Sequence, residues 1–88
     1  MDVIEMDQFF VSVFVPSIDE MFSLEISINL EMKEVLDMIQ KTICELSDQS
    51  YQVNPGAKLY DKNTGLLINP NNIVKFSGLK NGACLMLI

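Results

Sequence analysis

The stretch FSLEISINLEMKEVLDMI, residues 22–39, decides the fold because its hydrophobic period changes in the middle. From Phe22 to Ile28, apolar and polar residues alternate, which is typical of a strand with one buried face. After Asn29 the apolar residues recur at intervals of three and four; they are Met32, Val35, Leu36, Ile39, Ile43 and Leu46. This spacing lines one face of an α-helix, and Asn29 is predicted to be its N-cap. On the exposed face, Asp37 and Lys41 are placed to pair.

A second strand is predicted immediately upstream. FFVSVFV, residues 9–15, is rich in β-branched and aromatic residues, and only a short turn separates it from the strand at residues 21–28. The two strands are therefore predicted to pair antiparallel. Alternation places the valines of residues 9–15 on the helix-facing side and Phe10, Ser12 and Phe14 on the other. The opposite assignment, with the phenylalanines in the core, remains an alternative that Ser12 disfavours.

Downstream of the helix the pattern predicts short strands and turns. Residues 57–68, AKLYDKNTGLLI, read as two short strands around a turn at residues 61–65, and NPNN at residues 69–72 reads as another turn. Residues 73–76 favour a short helical turn, and Asn81-Gly82 introduces a last strand at residues 83–88. The order predicts an α+β fold in which a mixed sheet of about five strands packs on one long helix.

Composition limits the classes of function. The chain has 88 residues, 49% of them hydrophobic and 20% charged, as expected of one packed domain. A net charge of −6 argues against binding to nucleic acid or anionic lipid, which need concentrated positive charge. No apolar run is long enough to span a bilayer, and no signal peptide is recognisable, so a cytoplasmic protein without membrane insertion is expected. Residues 1–8 are predicted to be a disordered acidic extension to a domain at residues 9–88.

The charge is unevenly distributed along the chain. Residues 1–48 carry eleven acidic side chains against two lysines, whereas residues 49–88 carry only Asp61 against four lysines. One end of the fold is therefore expected to be acidic and suited to a basic partner. The alternative is that these charges only keep a small domain soluble.

The residues that enzymes and cofactor sites need are missing or scattered. The chain has no histidine to act as a base, and its four glycines lie at separate turns instead of forming a phosphate-binding loop. The segment DKNTG at residues 61–65 lacks the terminal glutamate of a calcium loop, which favours a plain turn. Cys44 and Cys84 have no metal-binding spacing and are expected to be small hydrophobic residues. We therefore expect no enzyme activity, no cofactor and no metal.

Two stretches carry a resemblance to a known family. Residues 22–39 have the strand, cap and helix order of ubiquitin-like domains, and KLYDKNTGLL followed by GLKNGACLMLI resembles the second half of that fold. Within the superfamily the chain is most similar to the small bacterial YukD/EsaB proteins associated with type VII secretion in Gram-positive bacteria. The resemblance implies a β-grasp fold over residues 9–88. It also implies a non-enzymatic interaction protein that serves as an accessory or regulatory component of such a secretion system.

The resemblance departs from ubiquitin-type modifiers at the last residues. Those modifiers end in a flexible Gly-Gly tail that is activated and conjugated, whereas Leu87 and Ile88 are expected to lie in a strand. Conjugation is therefore not expected. A ubiquitin-like subunit or scaffold domain of another assembly is the main alternative function, and a protein modifier is the weaker one.

The remaining candidate for function is the sheet face that points away from the helix. The helix-facing side chains are predicted to be Val11, Val13, Leu24, Ile26, Leu59, Leu66, Leu85 and Leu87. The outward side chains, which form the predicted partner-binding patch, are Phe10, Phe14, Tyr60, Cys84, Met86 and Ile88. Ubiquitin-like folds commonly use this face for recognition, which implies a secretion-machinery protein or a second copy as partner. A scattered set of exposed apolar residues is the alternative.

Overall fold

The computed structural model describes residues 7–88, and it places four strands, one α-helix and one short 3-10 helix within that range. The elements in chain order are β1 (Gln8–Val15), β2 (Glu20–Ser27), α1 (Met32–Leu46), β3 (Leu59–Asp61), the 3-10 helix (Val74–Phe76) and β4 (Cys84–Leu87). Most of the predicted acidic extension lies outside the described residues. Its last two residues contact the sheet: Gln8 belongs to β1 and pairs with Ser27, and the carbonyl of Asp7 accepts the N–H of Ile28 at 3.0 Å.

The strands form one mixed sheet in the order β2-β1-β4-β3. β1 pairs antiparallel with β2 and parallel with β4, and β3 pairs antiparallel with β4. The β1–β2 hairpin keeps an unbroken register from Gln8 opposite Ser27 to Val15 opposite Glu20. The predicted α+β arrangement is therefore confirmed, with four strands in the sheet.

The predicted fifth strand is reduced to a single bridge between Tyr60 and Leu67. The chain reverses at the turn after β3, where the N–H of Asp61 donates to the carbonyl oxygen of Leu66 at 2.9 Å. The Asp61 carboxylate also accepts the N–H of Asn63 at 2.8 Å, which fixes the start of the turn. The returning segment then stays too short to extend the ladder.

The helix begins later than the sequence predicts. Its N-cap is Glu31, so the prediction of Asn29 as the cap is wrong. The first two helical N–H groups donate to the carbonyl oxygens of Asn72 at 2.8 Å and Pro70 at 2.9 Å. The Glu34 carboxylate accepts the N–H of Glu31 at 3.2 Å. A loop distant in sequence thus supplies acceptors that an N-cap side chain would otherwise provide.

The core lies between the helix and one face of the sheet. Its buried apolar members are Val11, Val13, Val15, Leu24, Ile26, Met32, Val35, Ile39, Ile43, Tyr51, Ala57, Leu59, Val74, Leu85 and Leu87. Of the predicted helix-facing residues only Leu66 is misplaced, because it is 68% exposed. Leu66 follows the turn after β3, where the alternation of the strand no longer applies.

Candidate functional site on the outer sheet face

Five of the six predicted patch residues lie on strands whose alternate residues are buried in the core, and the sixth, Ile88, directly follows β4. The valines of β1 are buried, which rules out the alternative that put the phenylalanines inside. Phe10 and Ile88 are the most exposed patch members, at 61% and 59%. The other four, Phe14, Tyr60, Cys84 and Met86, are half-buried. Their partner binding remains a prediction, but their placement on one face follows from the strand pattern.

Three of the six are direct neighbours across strands. Phe14 lies opposite Met86, and Met86 lies opposite Tyr60, so these side chains join β1, β4 and β3. On the other side of Phe14, its partner in β2 is Met21, which is 51% exposed. Side chains of directly opposed residues contact each other on the same sheet face. We call Met21, Phe14, Met86 and Tyr60 the apolar row; it crosses all four strands and spans roughly 14 Å.

Met21 is the member of this row that was not predicted from the sequence. The alternation of β2 already places it on the same face as Ser23 and Glu25. The missing information was the hairpin register, which sets Met21 opposite Phe14. The remaining predicted residues lie outside the row: Cys84 is one step away, while Phe10 and Ile88 lie towards opposite ends of the sheet.

A lysine lies over the centre of the row. The Nζ atom of Lys62 is 4.9 Å from the centroid of the Phe14 ring, within the range of a cation–π contact. The backbone N–H of Lys62 donates to the carbonyl oxygen of Cys84 at 3.0 Å, which anchors this residue beside β4. On the opposite edge strand, Glu25 is exposed and lies opposite Phe10. The outer face is therefore apolar along the row, with one lysine over Phe14 and an exposed glutamate on the edge strand β2.

The helix retains the acidic character of the first half of the chain. Lys33 and Lys41 lie 3.1 Å and 2.9 Å from carboxylate oxygens of Glu31 and Asp37, and the second pair was predicted. All four side chains are solvent-exposed, so each pair stabilises the fold by less than about 1 kcal/mol. Both lysines of residues 1–48 already lie beside carboxylates. They therefore do little to neutralise the negative charge of the other acidic side chains on β2 and α1.

A buried polar cluster closes the end of the fold near the helix C-terminus. The hydroxyl of Tyr51 donates to Oε1 of Gln40 at 2.7 Å, and the same oxygen accepts the N–H of Asn54 at 2.7 Å. Burial raises the pKa of the Tyr51 hydroxyl above its usual value, and the charge of a Cys44 thiolate adds to this. The cluster fixes the loop after α1 to the helix.

The turn that resembled part of a calcium loop uses its carboxylate internally. Oδ1 of Asp61 accepts the N–H groups of Asn63 at 2.8 Å and Thr64 at 3.3 Å. Gly65 ends the turn with a φ of 74°. Across residues 7–88 no three His, Cys, Asp or Glu side chains come together as a metal site would require. Over the same range, no helix is both long and apolar enough to cross a lipid bilayer.

The architecture defines a class of protein: one helix across a mixed sheet whose two central strands, β1 and β4, run parallel is the β-grasp of ubiquitin-like domains. No family model and no curated protein sequence matches the chain. Solved structures do match it.

The ubiquitin-like domain of the type VII secretion protein EccD1 from Mycobacterium tuberculosis is similar with a TM-score of 0.74 at 12% identity, over 94% of this chain and 99% of that one. The EccD5 ubiquitin-like domain from Mycobacterium xenopi gives a TM-score of 0.66 at 15% identity, over 92% of each chain. A ubiquitin-like domain of Arabidopsis thaliana gives 0.67 at 15% identity, over 94% of this chain and 78% of that one. The chain therefore has the ubiquitin-like β-grasp fold.

Proposed function

We propose that the protein is a non-enzymatic, non-conjugated ubiquitin-like adaptor that acts in the cytoplasm as an accessory or regulatory component of a type VII secretion system. The apolar row carries this proposal. A sheet face that only meets water is expected to be polar, whereas here one apolar side chain follows another across all four strands. Contiguous apolar surface of this kind marks protein interfaces. The partner is a secretion-machinery component, a second copy of the chain, or both.

The assignment to secretion is supported by two lines of similarity. Residues 22–39 resemble ubiquitin-like domains in general, and the resemblance to the YukD/EsaB proteins lies in the GLKNG turn at residues 78–82 and the last strand. In addition, the ubiquitin-like domains of EccD1 and EccD5 match nearly the whole chain in fold and size. Both comparisons concern proteins of type VII secretion, and neither is close enough in sequence to identify the partner.

The non-enzymatic part of the proposal is supported by the chemistry of the side chains. Without histidine, a hydrolase or transferase of this size would need clustered carboxylates or an activated thiol. The non-conjugated part is supported by the order of residues 84–88: β4 ends at Leu87, and Ile88 exchanges backbone bonds with Lys58, donating its N–H at 3.0 Å and accepting the Lys58 N–H at 2.7 Å. This segment differs from the flexible Gly-Gly tail of ubiquitin-type modifiers. Detection of an SDS-resistant adduct linked through Ile88 would refute this part of the proposal.

The decisive experiment places charge in the apolar row. Tyr60→Glu combined with Met86→Glu is expected to weaken co-purification with type VII secretion components by about tenfold or more, because two carboxylates would lose their water in the interface. The matched control is Leu66→Glu combined with Phe76→Glu. These side chains are 68% and 74% exposed and lie outside the four strands, so binding should be unchanged.

Both double variants are checked for folding by circular dichroism and for oligomeric state by sedimentation velocity. A folded Tyr60/Met86 variant that keeps its partner and its oligomeric state would show that the outer face is not the interface. Export of the system's small WXG-type substrate, measured in a deletion strain complemented with each variant, links the interface to secretion.

A ubiquitin-like subunit of another assembly is the second candidate function. The similarity to a plant ubiquitin-like domain favours it, because the fold occurs well outside secretion systems. Gene neighbourhood separates the two candidates. Genes for a WXG-type protein and a membrane ATPase beside this gene would support the first, and their absence would favour the second.

A further inference from the structure

Methionine is distributed unevenly between the two faces of the sheet. The four strands contain two methionines, Met21 and Met86, and both belong to the apolar row. The buried residues of the same strands are valine, leucine and isoleucine instead. On the helix, Met32 is buried and Met38 is exposed. The sheet therefore places its thioether groups on the outer face and uses hydrocarbon side chains towards the core.

The two methionines of the row differ in how open they are to a dissolved oxidant. Met21 is 51% exposed and lies on the edge strand β2. Met86 is half-buried between its cross-strand neighbours Phe14 and Tyr60. A flexible thioether next to aromatic rings packs well against a partner surface while it is reduced. Peroxide is expected to reach Met21 first and Met86 more slowly, and both before any methionine of the core.

Oxidation of a methionine changes the property on which the row depends. The sulfoxide carries a polar S–O group in place of an apolar thioether. On a solvated sheet face this oxygen bonds to water, so the fold is little disturbed. Inside an interface the same oxygen loses its water, and it destabilises the complex unless the partner supplies a donor. Because both side chains lie outside the core, oxidation can weaken binding without unfolding the domain.

We propose that Met21 and Met86 are oxidation sites through which hydrogen peroxide weakens partner binding by the apolar row, a regulation that rests on the proposed function of this face. One oxygen atom passes from the peroxide to the thioether sulfur, so that an O–O bond breaks and an S–O bond forms. The sulfur loses two electrons, and the peroxide is reduced to water. Methionine sulfoxide reductases reverse the step: two thiols become a disulfide, and the oxygen leaves as water.

The helix supplies a matched comparison for each aspect of the proposal. Met38 is 53% exposed, nearly the same as Met21, but it lies on α1 outside the apolar row. It should therefore oxidise at a similar rate without an effect on binding. Met32 is 1% exposed in the core, so the appearance of its sulfoxide reports opening of the fold. Peroxide treatment is stopped before Met32 oxidises, which keeps the fold constant.

The test uses the full chain, treated with dilute hydrogen peroxide, quenched with catalase and then reduced with dithiothreitol. The thiol restores reversibly oxidised cysteines but leaves sulfoxides in place. Peptide mapping by mass spectrometry gives the extent of oxidation at each methionine, and circular dichroism checks the fold. Co-purification with type VII secretion components is expected to fall by about tenfold or more once Met21 and Met86 are oxidised. The two methionine sulfoxide reductases, one for each epimer, should restore it.

Two variants assign the loss to the apolar row. Each variant is compared only with itself before and after peroxide, so that any change in its starting affinity cancels. Met21→Leu combined with Met86→Leu removes both sulfur atoms, and its binding should change by less than about twofold on treatment. Met38→Leu keeps both sulfur atoms of the row, and its binding should fall by about tenfold, as in wild type.

Oxidised wild type that binds as well as the untreated protein would overturn the proposal and leave the function of the outer face intact. A loss that Met38→Leu abolishes, or that the double leucine variant shares, would overturn it as well, because the row would not be responsible. Oxidation of Met21 or Met86 only together with Met32 would mean that access requires unfolding, which also contradicts it. If the untreated protein captures no type VII component, the proposed function fails and this regulation fails with it.

Discussion

Leu85 and Met86 are adjacent in β4, and their side chains point to opposite faces of the sheet. Truncating each side chain separately tests this assignment of faces, on which the candidate site depends. Leu85 is fully buried at 0% exposure, whereas Met86 is half-buried in the apolar row. Leu85→Ala removes a core side chain and leaves a cavity in a central strand, which costs about 3 kcal/mol. Met86→Ala opens no cavity in the core and should cost about 1 kcal/mol or less.

These free energies are large enough to separate by calorimetry. A domain of this size has a free energy of unfolding of roughly 4–13 kcal/mol, and 1 kcal/mol changes its Tm by about 4–8 °C. Leu85→Ala should therefore lower the Tm by roughly 12–24 °C, and Met86→Ala by roughly 4–8 °C or less. Partner binding is expected to respond in the opposite order. Met86→Ala should weaken it, whereas any Leu85→Ala protein that remains folded should bind normally.

Calorimetric and urea unfolding of both variants in one buffer, with binding measured below the lower Tm, completes the comparison. Equal losses of stability for the two variants would refute the assignment of faces. Normal binding by Met86→Ala would instead remove this residue from the interface while leaving the fold intact.

Three further predictions follow from particular contacts. Tyr51→Phe should cost about 1 kcal/mol at pH 7, because the hydrogen bond to Gln40 is lost. Burial raises the pKa of Tyr51, so the hydroxyl ionises at lower pH in the unfolded chain than in the folded one. The stabilisation by this hydroxyl is therefore complete below about pH 10 and declines as the pH rises above it. In urea titrations, the difference in free energy of unfolding between wild type and Tyr51→Phe should shrink over this range. Glu34→Ala should lower the free energy of unfolding by about 0.5–1 kcal/mol, because the carboxylate that accepts the Glu31 N–H at the helix start is lost. Gly65→Ala should lower it by about 1 kcal/mol, because the φ of 74° suits glycine, as thermal unfolding would show.

Each of these predictions has a control within the chain. If the difference in free energy of unfolding between wild type and Tyr51→Phe stays constant up to high pH, the burial of the Tyr51 hydroxyl is contradicted. Glu45→Ala, near the end of the same helix, should not reproduce the loss seen with Glu34→Ala. Gly56→Ala, where φ is not positive and Asn54 Oδ1 lies 3.5 Å from the added carbon, should be tolerated better than Gly65→Ala.

The parts of the fold that repeat regularly along the chain were predictable from sequence. Alternation fixed both strands of the β1–β2 hairpin to within one residue, and three-and-four spacing found the helix. The side chains of the last strand were also assigned to the correct faces, because Leu85 and Leu87 are buried and Met86 is not fully buried. In each case a local pattern of apolar residues is enough, since burial imposes the period directly.

The misassigned features depend on contacts between distant residues. The helix starts at Met32 because the carbonyls of Pro70 and Asn72 accept its first N–H groups, and no signal near Asn29 reports that loop. Leu66 was predicted to face the helix from a second short strand after the turn, but that strand is reduced to the bridge between Tyr60 and Leu67. Met21 was not assigned to the candidate site because only the pairing register brings it to Phe14. Sequence periodicity identifies faces, whereas pairing decides which residues on a face are neighbours.

The position of β4 has a consequence for the synthesis of the protein. β4 is made last, yet it lies between β1 and β3 and pairs Ser12 with Cys84. On the ribosome, β1 and β2 can form a hairpin, but the other edge of β1 stays without its parallel neighbour until residues 84–87 leave the exit tunnel. Contacts of such long sequence separation form late and slowly. The nascent chain therefore carries an open strand edge until β4 has emerged, and chaperones can bind it during that interval.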